Sequence, residues 1–179
     1  MGFASRLTAE DVWGYSVRKL TEPPEFLFST SRTGYAYTSS STPVDLISIT
    51  GKGILLGINM SNGADNANAG AALSKYVVDG VTYDCYANVR NPAAIPASGA
   101  TFMVGVPFKS SIVVKGEAPG GLGTANYNFA YCLFSDDIAR EEHIVERYSS
   151  HRLFVTKLYN SEGKLIHEIK EFREMLTQR

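Results

Sequence analysis

Short apolar runs separated by turn residues dominate the middle of the chain. Seven runs rich in β-branched and aromatic residues alternate with clusters of Gly, Pro, Asn and Ser, as strands alternate with turns. This spacing leaves almost no room for helices and predicts a mainly β domain over 44–134, built as an antiparallel, jelly-roll-like β-sandwich. The runs are VDLISIT (44–50), GILLGINM (53–60), LSKYVVD (73–79), VTYDCYAN (81–88), ATFMVGV (100–106), KSSIVVKG (109–116) and ANYNFAYCLF (125–134).

Two tight turns are predicted inside this domain. Asp79-Gly80 separates two alternating runs, and a type I′ turn there requires a positive φ at both positions. Gly51-Lys52-Gly53 separates another pair of strands by a reversal that glycine permits. The longer loops at 61–71 and 117–125 consist mainly of small residues. Loops of this kind are where a sandwich usually meets its partner.

The first 43 residues predict a short helix followed by a linker. Over 1–21, Thr8 can act as the N-cap of a helix. Such a helix is too short to be stable alone in water, so it must pack on its own domain or on another subunit. Residues 22–43 combine two prolines with a Ser/Thr run and predict a linker with one short strand at Phe26–Ser29. The apolar face of the helix consists of Val12, Trp13 and Val17.

The end of the chain differs from the rest in charge. Residues 135–179 carry 17 of the 35 formal charges. A Ser-Asp-Asp helix start predicts a helix over about 136–149. We favour a strand to Tyr159 and then a helix to the C-terminus, giving a charged α/β extension with assembly contacts; a β-hairpin around the NSEG turn is the open alternative. The helix is favoured by the heptad spacing of Leu165, Ile169, Phe172 and Leu176.

The overall composition points to no charged partner. The formal net charge is −1, from 17 basic and 18 acidic side chains, so we expect binding neither to nucleic acid nor to a membrane. The first residues do not resemble a signal peptide, and no apolar stretch approaches the roughly 18 residues that span a bilayer. Cys85 and Cys132 lack a CxxC partner and are expected to be buried free thiols.

The motifs of common active sites are missing from the sequence. His143, His151 and His167 lack the HxxxH or HExxH spacing that places two imidazoles on one metal ion, so we expect them to be surface residues. No GxSxG motif presents a nucleophile, and the Gly-rich stretch at 120–123 lacks the Lys-Ser/Thr of a phosphate loop. We therefore predict a protein that is not an enzyme and has no cofactor and no bound metal.

Acidic pairs have simpler explanations than catalysis. Asp79 with Asp84, or Asp136 with Asp137, could in principle act as a pair of glycosidase carboxylates. However, Asp79 is explained by its turn, and the Asp136-Asp137 pair by the start of a helix. Neither pair is therefore expected to be catalytic.

Candidate ligand-facing residues lie in the 61–71 loop and in the 81–88 strand. The loop oxygens could hold calcium, although the DxDxDG order is absent. Tyr83 and Tyr86 lie on opposite faces of their strand, because side chains alternate along a strand. The tyrosine that faces away from the core could form a sugar-stacking platform or a subunit interface. The candidate ligand-facing residues are Asn62, Asp65, Asn66, Tyr83 and Tyr86.

One segment resembles a known family. The stretch LTAEDVWGYSVRKLT is similar to a DVW-x-Y-x-x-R-x-LT segment of structural proteins from tailed bacteriophages, especially tail, fibre and head-decorating proteins. The match covers 11 of 179 residues. More loosely, ISITGKGILLGI, VVDGVTYD and PFKSSIVVK look like the sandwich modules of small phage virion proteins. The matching residues of the segment are Asp11, Val12, Trp13, Tyr15, Arg18, Leu20 and Thr21.

The resemblance implies a virion protein made in the host cytoplasm. It would form a symmetric oligomer, with a trimer favoured, contact other virion proteins through 1–21 and 135–179, and leave the sandwich for decoration or for attachment to a host-surface glycan. A free carbohydrate-binding module and a small hydrolase are the alternatives. The expected assembly residues are Val12, Trp13, Tyr15, Val17, Arg18, Leu20, Leu165, Ile169, Phe172 and Leu176.

Overall fold

The protein is mainly β. A computed structural model describes residues 29–62, 70–90, 99–119, 124–134 and 138–175, and these ranges contain strands but no helix. The predicted helix at 1–21 lies outside them. The strands are β1 (Ser29–Thr38), β2 (Val44–Thr50), β3 (Gly53–Asn62), β4 (Gly70–Val78), β5 (Val81–Arg90), β6 (Gly99–Phe108), β7 (Ser111–Glu117), β8 (Ala125–Phe134), β9 (Arg140–Arg147), β10 (His151–Tyr159) and β11 (Leu165–Glu174).

The seven predicted strands correspond to β2 to β8. The bounds of β2 and β8 coincide with those of the predicted runs, and the others differ by a few residues at their ends. The turn between β4 and β5 is also confirmed, because Asp79 has φ 50° and Gly80 has φ 84°. Alternation and turn residues were sufficient here because the apolar runs are separated by residues that favour turns.

The strands form one curled, mixed sheet. Its order is β5-β4-β7-β2-β11-β1-β8-β3-β6, while β10 pairs with β11 and β9 pairs with β10. All of these pairs are antiparallel except β1 with β11, which are parallel where Tyr37 lies opposite Arg173. β11 pairs with β10 along its length and with β2 and then β1 on its other edge. The last strand of the chain therefore lies in the middle of the sheet.

The curl brings strands that are distant in the sheet together around one core. The Tyr127 side chain on β8 is fully buried, and its hydroxyl lies 2.9 Å from the carbonyl oxygen of Ala72 on β4 and 2.7 Å from that of Glu117 on β7. Leu158 and Ile169, from the charged C-terminal segment, belong to the same core. The other large, fully buried side chains are Phe108, Phe129, Leu46, Ile47, Ile49, Leu55, Ile58, Met60, Ile112 and Leu133.

The helices predicted after residue 135 are wrong. Residues 140–147 form β9, which pairs with β10 throughout, and residues 165–174 form β11. The open alternative, a β-hairpin around the NSEG turn, is correct. The heptad spacing was misleading because Ile169 is buried as one of the alternating residues of a strand, and tertiary pairing overrides helix propensity in this segment. The expected α/β extension is thus all β where the structure describes it.

The segment interpreted as a linker also contains a full strand. β1 covers Ser29–Thr38 and pairs with β8 over its whole length. The predicted short strand overlaps β1 only at Ser29. The error arose because Ser, Thr and Gly usually mark loops, whereas here Gly34 and Ala36 are small enough to be buried against the core and the tyrosines alternate with them.

Candidate binding cleft

A cleft opens where β1, β10 and β11 lie side by side. Its volume is about 400 Å³, within the usual range for ligand sites. Aromatic and cationic side chains provide most of its walls. The cleft is lined by Tyr35, Tyr37, Arg152, Phe154, Arg173 and Met175.

The strand register explains why these residues meet. Tyr37 on β1 lies opposite Arg173 on β11, and Arg173 lies opposite Arg152 on β10. Side chains two positions apart share a face of a strand, so Tyr35 accompanies Tyr37 and Phe154 accompanies Arg152. The cleft therefore depends on the pairing of β1 with the β10–β11 hairpin, which is far from β1 in the sequence.

The Arg173 side chain is held in a fixed position. Its guanidinium carbon lies 3.9 Å from the centre of the Phe154 ring and 5.3 Å from that of Tyr35. Its Nη2 donates to Glu171 Oε2 at 3.0 Å, and its Nε donates to the carbonyl oxygen of Tyr35 at 3.4 Å. Contacts between a cation and aromatic faces, together with a charge-assisted hydrogen bond, favour this single orientation.

The aromatic wall is ordered as well. The Tyr35 hydroxyl donates to Asn126 Oδ1 at 2.7 Å, and burial raises the pKa of Tyr35. The Tyr35 and Tyr37 ring centres are 6.0 Å apart. Below these rings, burial raises the pKa of Glu171, although the hydrogen bond from Arg173 opposes that effect. These contacts fix the positions of the Tyr35 ring and of Arg173, which is paired with Glu171, in the wall of the cleft.

Two polar groups of the cleft stay available. Arg152 is exposed, and its guanidinium has no hydrogen bond or ion pair with any residue in the described ranges. The Tyr37 hydroxyl likewise has no hydrogen bond within these ranges, whereas its ring contacts Tyr35. Both groups can donate hydrogen bonds to a ligand that enters the cleft.

Tyr83, the one candidate ligand-facing residue whose side chain the structure describes, does not line this cleft. Tyr83 is 53% exposed on β5, a strand at the end of the sheet order. Asn62 and Tyr86 lie in β3 and β5, but their side chains are outside the described part of the structure, as are Asp65 and Asn66 entirely. The cleft itself was missed, and the alternation of Tyr35 with Tyr37 was the only local signal for it.

The expected assembly residues are only partly described. Leu165 is exposed, Phe172 is half-buried, and Ile169 is 1% exposed and belongs to the core. Because these three residues lie in a strand, they do not form the predicted heptad seam. Ile169 is not accessible to another subunit. The remaining expected residues, Val12, Trp13, Tyr15, Val17, Arg18, Leu20 and Leu176, lie outside the described residues.

The residues considered for catalysis lie in different surroundings. Asp79 accepts hydrogen bonds from the β6–β7 turn, whereas Asp84 lies 3.9 Å from the Lys75 ammonium. His143 is exposed, but His167 is 3% exposed, so the expectation that all the histidines are surface residues is wrong. Cys85 and Cys132 are free, as expected, but only half-buried.

The described part of the structure contains neither a metal-binding cluster nor a membrane-spanning helix. Across these ranges, no group of three or more His, Cys, Asp or Glu side chains is arranged to hold a metal ion. Likewise, none of the described segments forms a helix with the length and hydropathy of a membrane span.

No family model matches the chain, and no curated protein matches it.

Proposed function

We propose that this protein is a non-enzymatic structural component of a tailed bacteriophage particle, which assembles as a symmetric oligomer and contributes to host attachment. The observation that carries the proposal is the DVW-x-Y-x-x-R-x-LT segment, with Asp11, Trp13, Tyr15 and Arg18, which resembles phage structural proteins. An N-terminal docking segment joined to a β body is a suitable arrangement for such a role.

The β body supports a role in contacts with other molecules. Exposed apolar side chains lie on the outer strands, including Val81 and Tyr83 on β5 and Val145 on β9, and Tyr148 follows β9 directly. Strands at the edge of a sheet present unpaired backbone groups, and exposed apolar residues beside them are common at subunit contacts. We assign the edge at β5 to neighbouring copies or to other virion proteins.

The finer architecture belongs to the same proposal. We expect the two halves of the curled sheet to act as the layers of a jelly-roll-like sandwich, with β8 in one layer and β4 and β7 in the other. The Tyr127 hydroxyl supports this arrangement, because it reaches the carbonyl oxygens of Ala72 and Glu117 through the core. A rigid body of this kind can project from a particle without losing its shape.

Light scattering of the purified full chain tests the proposal. We expect a symmetric oligomer, with a trimer favoured, and a shift to monomer when residues 1–21 are removed. Trp13→Ala should weaken the oligomer, whereas Ser16→Ala, at an unmatched position of the same segment, should not. A monomer for the full chain at all concentrations would contradict the assembly role.

A carbohydrate-binding module is the second candidate function. The aromatic and arginine-lined cleft favours it, because aromatic walls with a few directed polar groups are typical of small-molecule sites. A monomer that binds glycans would support this candidate over the virion role.

A further inference from the structure

The cleft continues into a row of arginines that crosses three neighbouring strands. Arg173 on β11 lies opposite Arg152 on β10, and Arg152 lies opposite Arg147 on β9. Tyr37 on β1 extends the row at its other end, opposite Arg173. Three strand spacings of about 4.8 Å give the row a length of roughly 14 Å.

Such a row is unfavourable for the fold on its own. Like charges directly opposite each other on neighbouring strands destabilise a sheet. Only Arg173 is neutralised, through Glu171. Arg147 and Arg152 are both exposed, and neither guanidinium has an acidic partner among the residues that the structure describes. The row of arginines is therefore better explained by the binding of an anionic ligand than by a contribution to the stability of the fold.

Two other acidic groups on the strands of the row are already occupied. Glu174 accepts hydrogen bonds from the backbone nitrogen and the hydroxyl of Ser39 and from the Thr38 hydroxyl. Glu141, on β9, forms a bidentate pair with Arg32 at 2.8 Å. The row thus carries a net positive charge in a protein whose formal net charge is −1.

A second, partly apolar row runs beside the cationic one. It consists of Tyr35 on β1, Glu171 on β11, Phe154 on β10 and Val145 on β9, with Phe154 opposite both Glu171 and Val145 in the register. A ligand bound along the arginines would place its anionic groups on Arg152 and Arg147 and its apolar face on the exposed Val145 side chain. Guanidinium groups suit carboxylate and phosphate oxygens, because they can donate two parallel hydrogen bonds.

We propose that this surface, formed by Tyr37, Arg173, Arg152 and Arg147 together with the cleft, binds an anionic glycan, meaning a short oligosaccharide with carboxylate or phosphate groups. Such binding would be the chemical basis of the proposed host attachment, and its biological setting rests on the proposed function. Single-stranded nucleic acid is less suitable, because base stacking needs open aromatic faces and Arg173 already covers those of Phe154 and Tyr35.

Titration calorimetry on the full chain tests the proposal with three probes of similar length. One is a tetrasaccharide of alternating glucuronate and N-acetylglucosamine, one is the uncharged tetramer of N-acetylglucosamine, and one is a short poly(glycerol phosphate). We expect the carboxylated or the phosphorylated probe, or both, to bind at least about tenfold more tightly than the uncharged one, since hydrogen bonds to charged groups are the stronger kind. The two anionic probes distinguish the sources of the charge.

Variants of the row provide the control. Arg152→Gln and Arg147→Gln should each weaken binding of the anionic probe about tenfold, and higher salt should weaken it further. Arg140→Gln is the matched control: Arg140 lies on the same strand as Arg147, but its guanidinium is stacked 4.2 Å from the centre of the Tyr159 ring. Its binding should equal that of the wild type. Circular dichroism of each variant verifies that it is folded.

Several results would overturn the proposal. These are equal affinity for charged and uncharged tetramers, no binding of either anionic probe to the folded chain, or binding of an oligothymidylate alone. Light scattering of the same samples separates this test from that of the proposed function. An oligomer that binds no anionic glycan contradicts only the cleft proposal, whereas a monomer that binds one contradicts only the assembly role.

Discussion

The Oδ1 atom of Asp79 lies 2.7 Å from the backbone nitrogen of Ser110. The same carboxylate also accepts from the backbone nitrogens of Lys109, at 2.9 Å, and Ser111, at 3.0 Å. The turn between β4 and β5 thereby holds the turn between β6 and β7. These hydrogen bonds, that of Lys109 first, keep the pKa of Asp79 well below its usual value.

Replacing Asp79 should loosen these two turns. Asp79→Asn keeps a residue that tolerates a positive φ but removes the charge, so we expect a lower melting temperature at pH 7. A carboxylate with a lowered pKa stabilises the fold above the pKa of the unfolded chain, and this effect is lost as the pH falls. The difference from the wild type should therefore shrink below about pH 4. Asp84→Asn is the control, and an equal loss there would contradict the account.

His167 should make the fold sensitive to mild acid. Its ring is buried, neither ring nitrogen has a hydrogen-bond partner at good geometry within the described ranges, and burial lowers its pKa despite nearby backbone groups of Thr50 and Phe134. As the pH falls below about 6.5, the unfolded chain takes up the proton before the folded one does, so the free energy of unfolding decreases.

Urea unfolding between pH 7.5 and 5 measures this effect. His167→Leu should remove the part of the pH dependence that arises in this range. His143→Gln, at an exposed position, should retain it. A wild-type stability that stays constant or rises as the pH falls would contradict the assignment.

Gly51 should tolerate no side chain. It has φ 119°, and a Cβ atom there would lie 1.9 Å from His167 Nδ1. Gly51→Ala combines backbone strain with a steric clash and should cost about 2–4 kcal/mol in the free energy of unfolding. Gly163, with φ 78° and open space around it, is the matched control, and Gly163→Ala should cost only about 1 kcal/mol. Equal losses would show that the contact with His167 is unimportant.

Tyr127 should link distant strands across the core. Tyr127→Phe keeps the ring but leaves the carbonyl oxygens of Ala72 and Glu117 without this donor, at a cost of about 1–2 kcal/mol in the free energy of unfolding. Tyr83→Phe, at a residue that is 53% exposed, should be neutral. Denaturant unfolding measures both. A neutral Tyr127→Phe would contradict the contact of β8 with β4 and β7.

The sequence allowed the β-rich centre of the chain to be predicted because its signals are local. Each of β2 to β8 is an apolar run that ends at turn residues, and Asp79-Gly80 specifies its own hairpin. The C-terminal strands could not be recognised in the same way. Their Glu, Lys and Arg residues favour helices, and β11 becomes a strand only through pairing with β10, β2 and β1.

The cleft could not be predicted for a related reason. It depends on the parallel pairing of Tyr37 with Arg173, which brings β1, the first described strand, next to β11, the last described strand. Neither residue is unusual within its own segment. Tyr35 and Tyr37 lay in a stretch that was interpreted as a linker, and Phe172 and Arg173 in one interpreted as a helix. Only the tertiary register places the arginines in one row.

A cryo-electron microscopy map of the purified phage particle is the most direct test of the proposed function. We predict symmetric copies of the β body on the particle, with residues 1–21 against the neighbouring virion proteins and Arg147 and Arg152 facing the solvent. A complete particle whose density is fully assigned to other proteins, with no copy of this chain, would contradict the account.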